Sequence, residues 1–431
     1  MLIVLRNRNY AFLWFGQLVS VFGDGMLSIA LPFAVYDLTR STLATGVMFM
    51  AQTLPRIVFA SVAGVLVDRW DRRRTMIATD LVRGVTLLAL LLVHSPDTIW
   101  VIYLVAFVNA AVGRLFLPAK NAVIPRLVTG EQLTAANALN SLSENATRLI
   151  APALGGALYA LYGLRLAAGV DAASFAVSAV CLICLASSVG RPEVEGDIMP
   201  LSVAVIWHEW REGMRFARTN AVVRAVFVSV GIVSVSEGIL SVALVPFTRQ
   251  VLGGGAATLG LIVSAQAIGG IIGSVIFGRV GDRLPPALTV GISGATDAVL
   301  LFAIFNLPGR VSVSPIALAV VLIAIAGAAV IGFFVFQDAL LQRSVPDAYR
   351  GRAFGVYATV QAALMLCGQA IVSLLANRIG VVPTISLSPV IEITGSALAF
   401  ILLRRAFAQP AVVASEPQRI ATTAVLTRPS D

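Results

Sequence analysis

The chain is 431 residues long, 58% hydrophobic and only 12% charged, against a charged share of about 25% in soluble globular proteins. That balance excludes an ordinary water-soluble enzyme and makes lipid the solvent for most of the molecule. A net charge of +9 would point to nucleic acid in a soluble protein. Here the basic residues fall in short clusters between apolar runs, as at the cytoplasmic ends of membrane helices beside anionic lipid, and no nucleic-acid partner is expected.

Apolar runs of membrane-crossing length, cut at glycine, proline and charge, predict spans at 10–36, 43–67, 75–95, 98–117, 137–161 and 167–188. A second set follows at 221–247, 256–278, 286–307, 315–337, 352–376 and 381–403. The expected fold is an all-α integral membrane protein with twelve transmembrane helices in two pseudo-symmetric six-helix bundles. Arg6 and Arg8 precede an apolar run too long for a signal peptide, so the first span is read as retained. With the amino terminus inside, cytoplasmic segments hold 22 of the 31 basic residues and the outer loops hold five, Arg40, Arg165, Arg249, Arg310 and Arg378. This bias predicts cytoplasmic termini.

In the first span Asp24 sits between Gly23 and Gly25. An ionised carboxylate there costs about 2.5–3.5 kcal/mol. It needs a cavity, a proton or a buried arginine as partner, and Asp24 is the leading candidate for coupling protons to substrate. The loop 64–74 joins a tight turn at Gly64 to Asp68, Arg69, Arg72 and Arg73, a charge alternation suited to a cytoplasmic gate that locks and unlocks. Arg56 and Arg114 are placed near cytoplasmic helix ends, where long side chains snorkel.

Asp80 and Arg83 share a face of the third span and are expected to neutralise one another, as are Glu144 and Arg148 in the fifth; Arg148 facing a cavity is the alternative. Pro152 removes the amide that would bond the Arg148 carbonyl. Gly155-Gly156 lets a neighbouring helix approach, so this span can bend and pack closely there. Cys181, Cys184 and Cys367 lie within apolar runs and read as packed small side chains, not as a disulfide or metal site.

The bundles are assigned to 1–188 and 221–405. Between them, 189–220 reads as a cytoplasmic linker whose Val203, Ile206, Trp207, Trp210, Met214 and Ala217 share the apolar face of a surface helix. Residues 406–431 read as a disordered cytoplasmic tail.

The halves repeat. Asp24-Gly25-Met26-Leu27-Ser28 returns 213 residues later as Glu237-Gly238-Ile239-Leu240-Ser241. Gly46, Gln52, Gly64, Asp68 and Arg69 return 214 later as Gly260, Gln266, Gly278, Asp282 and Arg283, and Ala78-Thr79-Asp80 returns 217 later as Ala295-Thr296-Asp297. Ordered matches at a nearly constant displacement predict duplicated bundles around a midplane site. Glu237 becomes the second coupling acid, and Asp282 with Arg283 a second copy of the gate. Asp297 and Glu392 are intramembrane acids without an assigned role.

Gly64, Leu66, Asp68, Arg69, Arg72 and Arg73 resemble the signature G-x-L-x-D-R-x-G-R-[RK] of the major facilitator superfamily, with Asp71 in place of its second glycine. Asn7-Arg8-Asn9-Tyr10, Leu13-Trp14, Gly16-Gln17-Leu18 and Gly23-Asp24, with Phe116-Leu117-Pro118-Ala119, resemble its macrolide-efflux and siderophore-exporter branch. The stretch 146–156 is similar to the antiporter motif of the fifth helix, with Ala151 where that motif has glycine. The resemblance implies proton-driven export from the cytoplasm, with the signature loop in the inner gate.

The combined expectation is a monomeric, multi-pass secondary transporter of the cell membrane, without cofactor, that exchanges protons for lipophilic small molecules. Acids at Asp24 and Glu237 favour cationic or neutral amphiphiles. Export of a siderophore or lipid-like anion is the alternative, and it requires Arg148 and Arg83 to face the cavity. A membrane-embedded receptor or enzyme is the non-transport alternative. Against an enzyme, the only histidines, His94 and His208, fall at a span end and in the linker, away from any nucleophile or metal cluster.

Overall fold

A computed structural model describes residues 2–59, 66–67, 69–186 and 203–408. The first half contains α1 (Arg8–Thr39), α2 (Thr42–Phe59), α3 (Arg72–Leu88), α4 (Ile99–Leu127) and α5 (Gly130–Ile183). The link carries α6 (Val203–Thr219). The second half contains α7 (Ala221–Gln250), α8 (Ala256–Val280), α9 (Pro286–Asn306), α10 (Pro315–Ser344), α11 (Arg350–Ile379) and α12 (Leu387–Ala408). At 54 residues, α5 is far longer than one crossing needs. Gly163, at φ 73°, breaks it into two arms, in a left-handed conformation that glycine adopts without steric cost. The two arms and α2 complete twelve transmembrane helices.

The duplication reaches the helix caps. The Asn7 side chain accepts from the Asn9 and Tyr10 amides to start α1, and Asn220 accepts from the Val222 and Val223 amides to start α7. These satisfy amides that have no partner within the helix. The fourth span continues past its predicted end at 117 to Leu127. The extension is held by burial: Phe116, Ala119, Val123, Ile124 and Leu127 pack with Tyr10 and Leu13 of α1.

Small residues set how closely the helices approach. A Cβ on Gly155 would lie 2.2 Å from the Met26 carbonyl oxygen, and one on Gly25 would lie 2.7 Å from the Ala151 Cβ. Consequently α1 and α5 meet backbone to backbone. The helical dihedrals of α5 persist through Pro152, and its break is at Gly163.

The halves meet along α2 with α11 and α5 with α8. Gly46 packs against Ser373, Gly156 against the Ala256 carbonyl and Gly260 against the Pro152 carbonyl. Gln369 donates to the Thr53 hydroxyl at 3.0 Å, Gln250 donates to the Tyr36 hydroxyl at 2.5 Å, and Arg249 pairs with Asp37 at 3.0 Å. Following the helices from the amino terminus places the contacts of Gly46, Gly156, Gly260, Tyr36 and Asp37 at the end remote from α6 and from the start of α1, while the Thr53–Gln369 bond lies deeper, at the cavity wall. The halves are closed at that end.

The linker helix α6 docks on the second half. Glu212 accepts from Arg352 at 2.6 Å, and Phe216 stacks on Tyr349 with ring centroids 5.3 Å apart. Of the expected apolar face, Ala217 is buried while Trp207 is exposed and stacks on Trp210. Residues 189–202 and the tail from 409 lie outside the described residues.

Candidate functional site in the cavity between the halves

Two lobes of a cavity lie between the halves and share Arg56, Ser241 and Met365. The first encloses about 360 Å³ and is lined by Asp24, Arg56, Arg83, Arg114 and Asp171 among its polar groups. The second encloses about 460 Å³ and is lined by Glu237, Asp297 and Glu392, with Leu240, Phe334 and Met365 among its apolar walls. Both predicted coupling acids therefore face the cavity, one in each lobe.

Asp24 is held from α3. Arg83 donates through Nη2 to both of its carboxylate oxygens, each at 2.7 Å, while the guanidinium carbon lies 4.1 Å from the Phe175 ring centroid. Aromatic contact and charge-assisted bonding both favour arginine in this place. The Asp24 side chain remains 41% exposed and that of Arg83 14%, so the pair is open to the cavity. The expected Asp80–Arg83 pair is corrected here. Asp80 is buried beside Ser178, and Arg83 extends across the helix interface to Asp24.

The Glu144–Arg148 pair is corrected too. Glu144 pairs with Lys120 of α4 at 3.6 Å, whereas Arg148 is exposed and lines neither lobe. A buried ammonium on the neighbouring helix captures the acid in place of the residue one turn on. Arg56 and Arg114, expected to snorkel, line the first lobe instead. Neither makes an ion pair or hydrogen bond among the described residues.

Asp171, on the second arm of α5, escaped the sequence reading. It is buried, bonded to the Ser174 hydroxyl at 3.2 Å and packed against Gly23. The available signal was a lone acid in an apolar run, the same signal that singled out Asp24.

Of the predicted gate, Gly64 and Asp68 lie outside the described residues. Arg72 is buried. Arg73 donates to the Leu182 and Ile183 carbonyls at 2.9 and 2.5 Å, placing a cation at the carboxyl end of α5, where the helix dipole favours it. Asp71, in place of the signature's second glycine, caps α3 by accepting from the Arg74 amide at 2.8 Å. In the second copy Asp282 pairs loosely with Arg343 at 4.0 Å, both side chains being exposed, and Arg283 is exposed without joining it. Pro152, Gly155 and Gly156 line neither lobe and act in helix packing.

The profile of the Major Facilitator Superfamily matches residues 13–362 and 226–429. Macrolide efflux protein A of Streptococcus pyogenes is 26% identical over 373 residues, covering 86% of this chain and 89% of that protein. Enterobactin exporter EntS of Escherichia coli O1:K1 / APEC is 24% identical over 391 residues, covering 90% and 88%. A solved structure of a bacterial homologue of the iron transporter ferroportin, in an inward-facing state, aligns with a TM-score of 0.73 at 18% identity over 93% of this chain and 99% of that one, a likeness of fold. Duplicated bundles enclosing a polar cavity, together with a profile match along most of the length, establish that the chain belongs to the major facilitator superfamily of membrane transporters.

Proposed function

We propose that this protein exports lipophilic small molecules, macrolide-like or other drugs, across the cell membrane in exchange for protons, with both termini in the cytoplasm. One observation carries the reading: charged groups of both halves face a single cavity that the halves close at one end. Rocking of one bundle against the other would present that cavity to alternate sides. With cytoplasmic termini the closed end is the outer one, so cargo enters from inside. A proton arriving at Asp24 removes the charge that holds Arg83, and Glu237 offers a second carboxyl group with no ion pair among the described residues. The gate formed by the loop 64–74, including Gly64, Asp68, Arg69, Arg72 and Arg73, would close the inner side after loading, with Asp282 and Arg283 as its weaker copy. Both curated relatives described above are named for outward transport, which supports the direction.

Counterflow in proteoliposomes under an imposed proton gradient, with a panel of dyes, antibiotics and siderophores, tests this. Accumulation of cargo against its gradient, collapsed by an ionophore, is expected. Movement that ignores the proton gradient overturns the coupling.

A second reading is export of an anionic siderophore or lipid-like molecule. Arg148 is turned away and Arg83 is held by Asp24, but Arg56 and Arg114 bring to the first lobe two guanidinium groups that make no ion pair or hydrogen bond among the described residues. Loss of anion transport in the Arg56→Gln, Arg114→Gln double variant, with neutral cargo still carried, would favour it.

A further inference from the structure

The linker helix α6 turns an aromatic and basic stripe away from the rest of the chain. Trp207, Arg211, Arg215 and Arg218 are all exposed, and their spacings of four, four and three residues place them within an arc of about 80° on the helix. Trp210 and Met214, partly buried, border the arc on one side. The Trp207 and Trp210 rings stack with centroids 5.2 Å and planes 5° apart. The side chains of Arg211, Arg215 and Arg218 make no ion pair or hydrogen bond among the described residues. Of the two acids on the helix, Glu212 is engaged by Arg352, and Glu209 lies on the side opposite the stripe.

The docked face sets the level of the helix. α7 and α11 have 30 residues each, about 45 Å of helix, which matches a bilayer with its headgroups. Their first turns on the side of α6 therefore lie in the headgroup layer, and α6 ends one residue before α7 begins, at Asn220. Phe216 stacks on Tyr349, just before α11. One turn earlier, a Cβ on Gly213 would lie 2.8 Å from both the Arg352 carbonyl oxygen and a Val356 methyl group. Moving back along α6 thus climbs α11 towards the membrane core. Trp210 and Trp207, one and two turns further back, stay beside the bilayer and do not descend into water.

We propose that this stripe is a docking surface for anionic phospholipid of the adjacent leaflet, with the stacked tryptophans at headgroup level and the three guanidinium groups on lipid phosphates. The proposal needs only a membrane-spanning chain and rests on neither cargo nor direction of transport. Tryptophan settles at the membrane boundary because its ring is apolar and its N–H polar. A guanidinium presents paired N–H donors that fit phosphate oxygens. Three arginines on one arc with no acid among them favour a lipid of net negative charge over a zwitterionic one, and an apolar border beside a basic arc is the pattern of helices that lie in the membrane surface. Anchored there, α6 holds the start of α11 at the boundary through the Glu212–Arg352 pair at 2.6 Å.

Quenching of tryptophan fluorescence by bromine on lipid chains tests this, with the full-length protein in bilayers of phosphatidylcholine containing a minor share of phosphatidylglycerol. The chain has five tryptophans, so the signal of the pair is the difference between the protein and its Trp207→Phe, Trp210→Phe variant. Bromine on phosphatidylglycerol should quench the pair as though that lipid were enriched around it at least about fivefold over the bulk, the factor that one arginine contributes beside an anionic surface. Arg211→Gln, Arg215→Gln and Arg218→Gln together should abolish the enrichment while bromine on phosphatidylcholine still quenches. Arg211→Lys, Arg215→Lys and Arg218→Lys together, which keep the charge, should retain most of it.

The proposal is overturned if bromine on neither lipid quenches the pair, because the stripe then faces water or is covered by protein, the first half included. Quenching by both lipids in proportion to their bulk shares would show that the arginines do not select charge. Enrichment that survives the three Gln substitutions would place its origin elsewhere in the protein, with the same consequence.

Discussion

Arg249 of α7 reaches across the boundary between the halves to Asp37 of α1, with Nη2 and Oδ1 3.0 Å apart, and the Tyr159 hydroxyl donates to the other oxygen of the same carboxylate at 3.3 Å. Asp37 thus ties α1, α5 and α7 together at the closed end. A partly exposed pair of this kind is worth about 1 kcal/mol, so Arg249→Gln should shift the ratio of closed to open outer ends about fivefold. Spin labels at Leu43 and Arg310, in a background lacking the three native cysteines, report this as growth of a longer-distance population. An unchanged distance distribution would show that the glycine contacts alone hold the end shut.

Asp24 and Arg83 should behave as one unit. Asp24→Asn keeps an acceptor for Arg83 but removes the titrating group, so proton-driven export should be abolished in a protein that still folds and inserts. Wild-type pH dependence in that variant would refute the role given to Asp24. Arg83→Ala leaves a carboxylate in the membrane interior without its partner and should lower stability by about 2–3 kcal/mol. Adding Asp24→Asn to Arg83→Ala should recover at least about 1 kcal/mol of that loss, a coupling readable by thermal unfolding in detergent.

The number of spans and the duplication were legible because each is a local property: apolar length, or a motif recurring at a fixed displacement. Asp24 and Glu237 stood out for the same reason. Partner choice was not legible. Arg83 has Asp80 one turn away on its own helix, yet its counter-ion is 59 positions distant, and the rotation of α3 against α1 decides between them. Glu392 was visible as an intramembrane acid without a role, and Asp171 was missed. The sixth and twelfth spans share little beyond an acid, so the repeat becomes visible there only once Gly23 and Ser236 are seen in contact with those acids.

Glu144 offers a direct comparison of the local and the tertiary partner. Lys120 is buried with its ammonium 3.6 Å from Glu144, so Glu144→Gln strands a cation, at a cost of about 1–2 kcal/mol once the half-exposed acid is discounted for solvent. Arg148→Gln removes an exposed charge and should stay within about 0.5 kcal/mol of wild type. Thermal unfolding of the two variants decides it. Equal destabilisation would restore the intrahelical pair.

Gly156 and Gly260 face one another's helices where α5 meets α8, and a Cβ at either would lie 2.3 or 2.2 Å from a carbonyl oxygen of the other half. Because those oxygens belong to rigid helix backbone, the clash is relieved only by moving the bundles apart. Gly155 sits one residue away but faces Met26 within its own half. Gly155→Ala should therefore lower stability by about 1–3 kcal/mol with little preference between states. Gly156→Ala should act chiefly on the closed end, opening it and slowing the return step of transport. Labelling of outer-end cysteines by an impermeant reagent separates the two. Faster labelling in Gly156→Ala than in Gly155→Ala is expected, and the reverse order would mean that α5 and α8 do not part when the cavity changes sides.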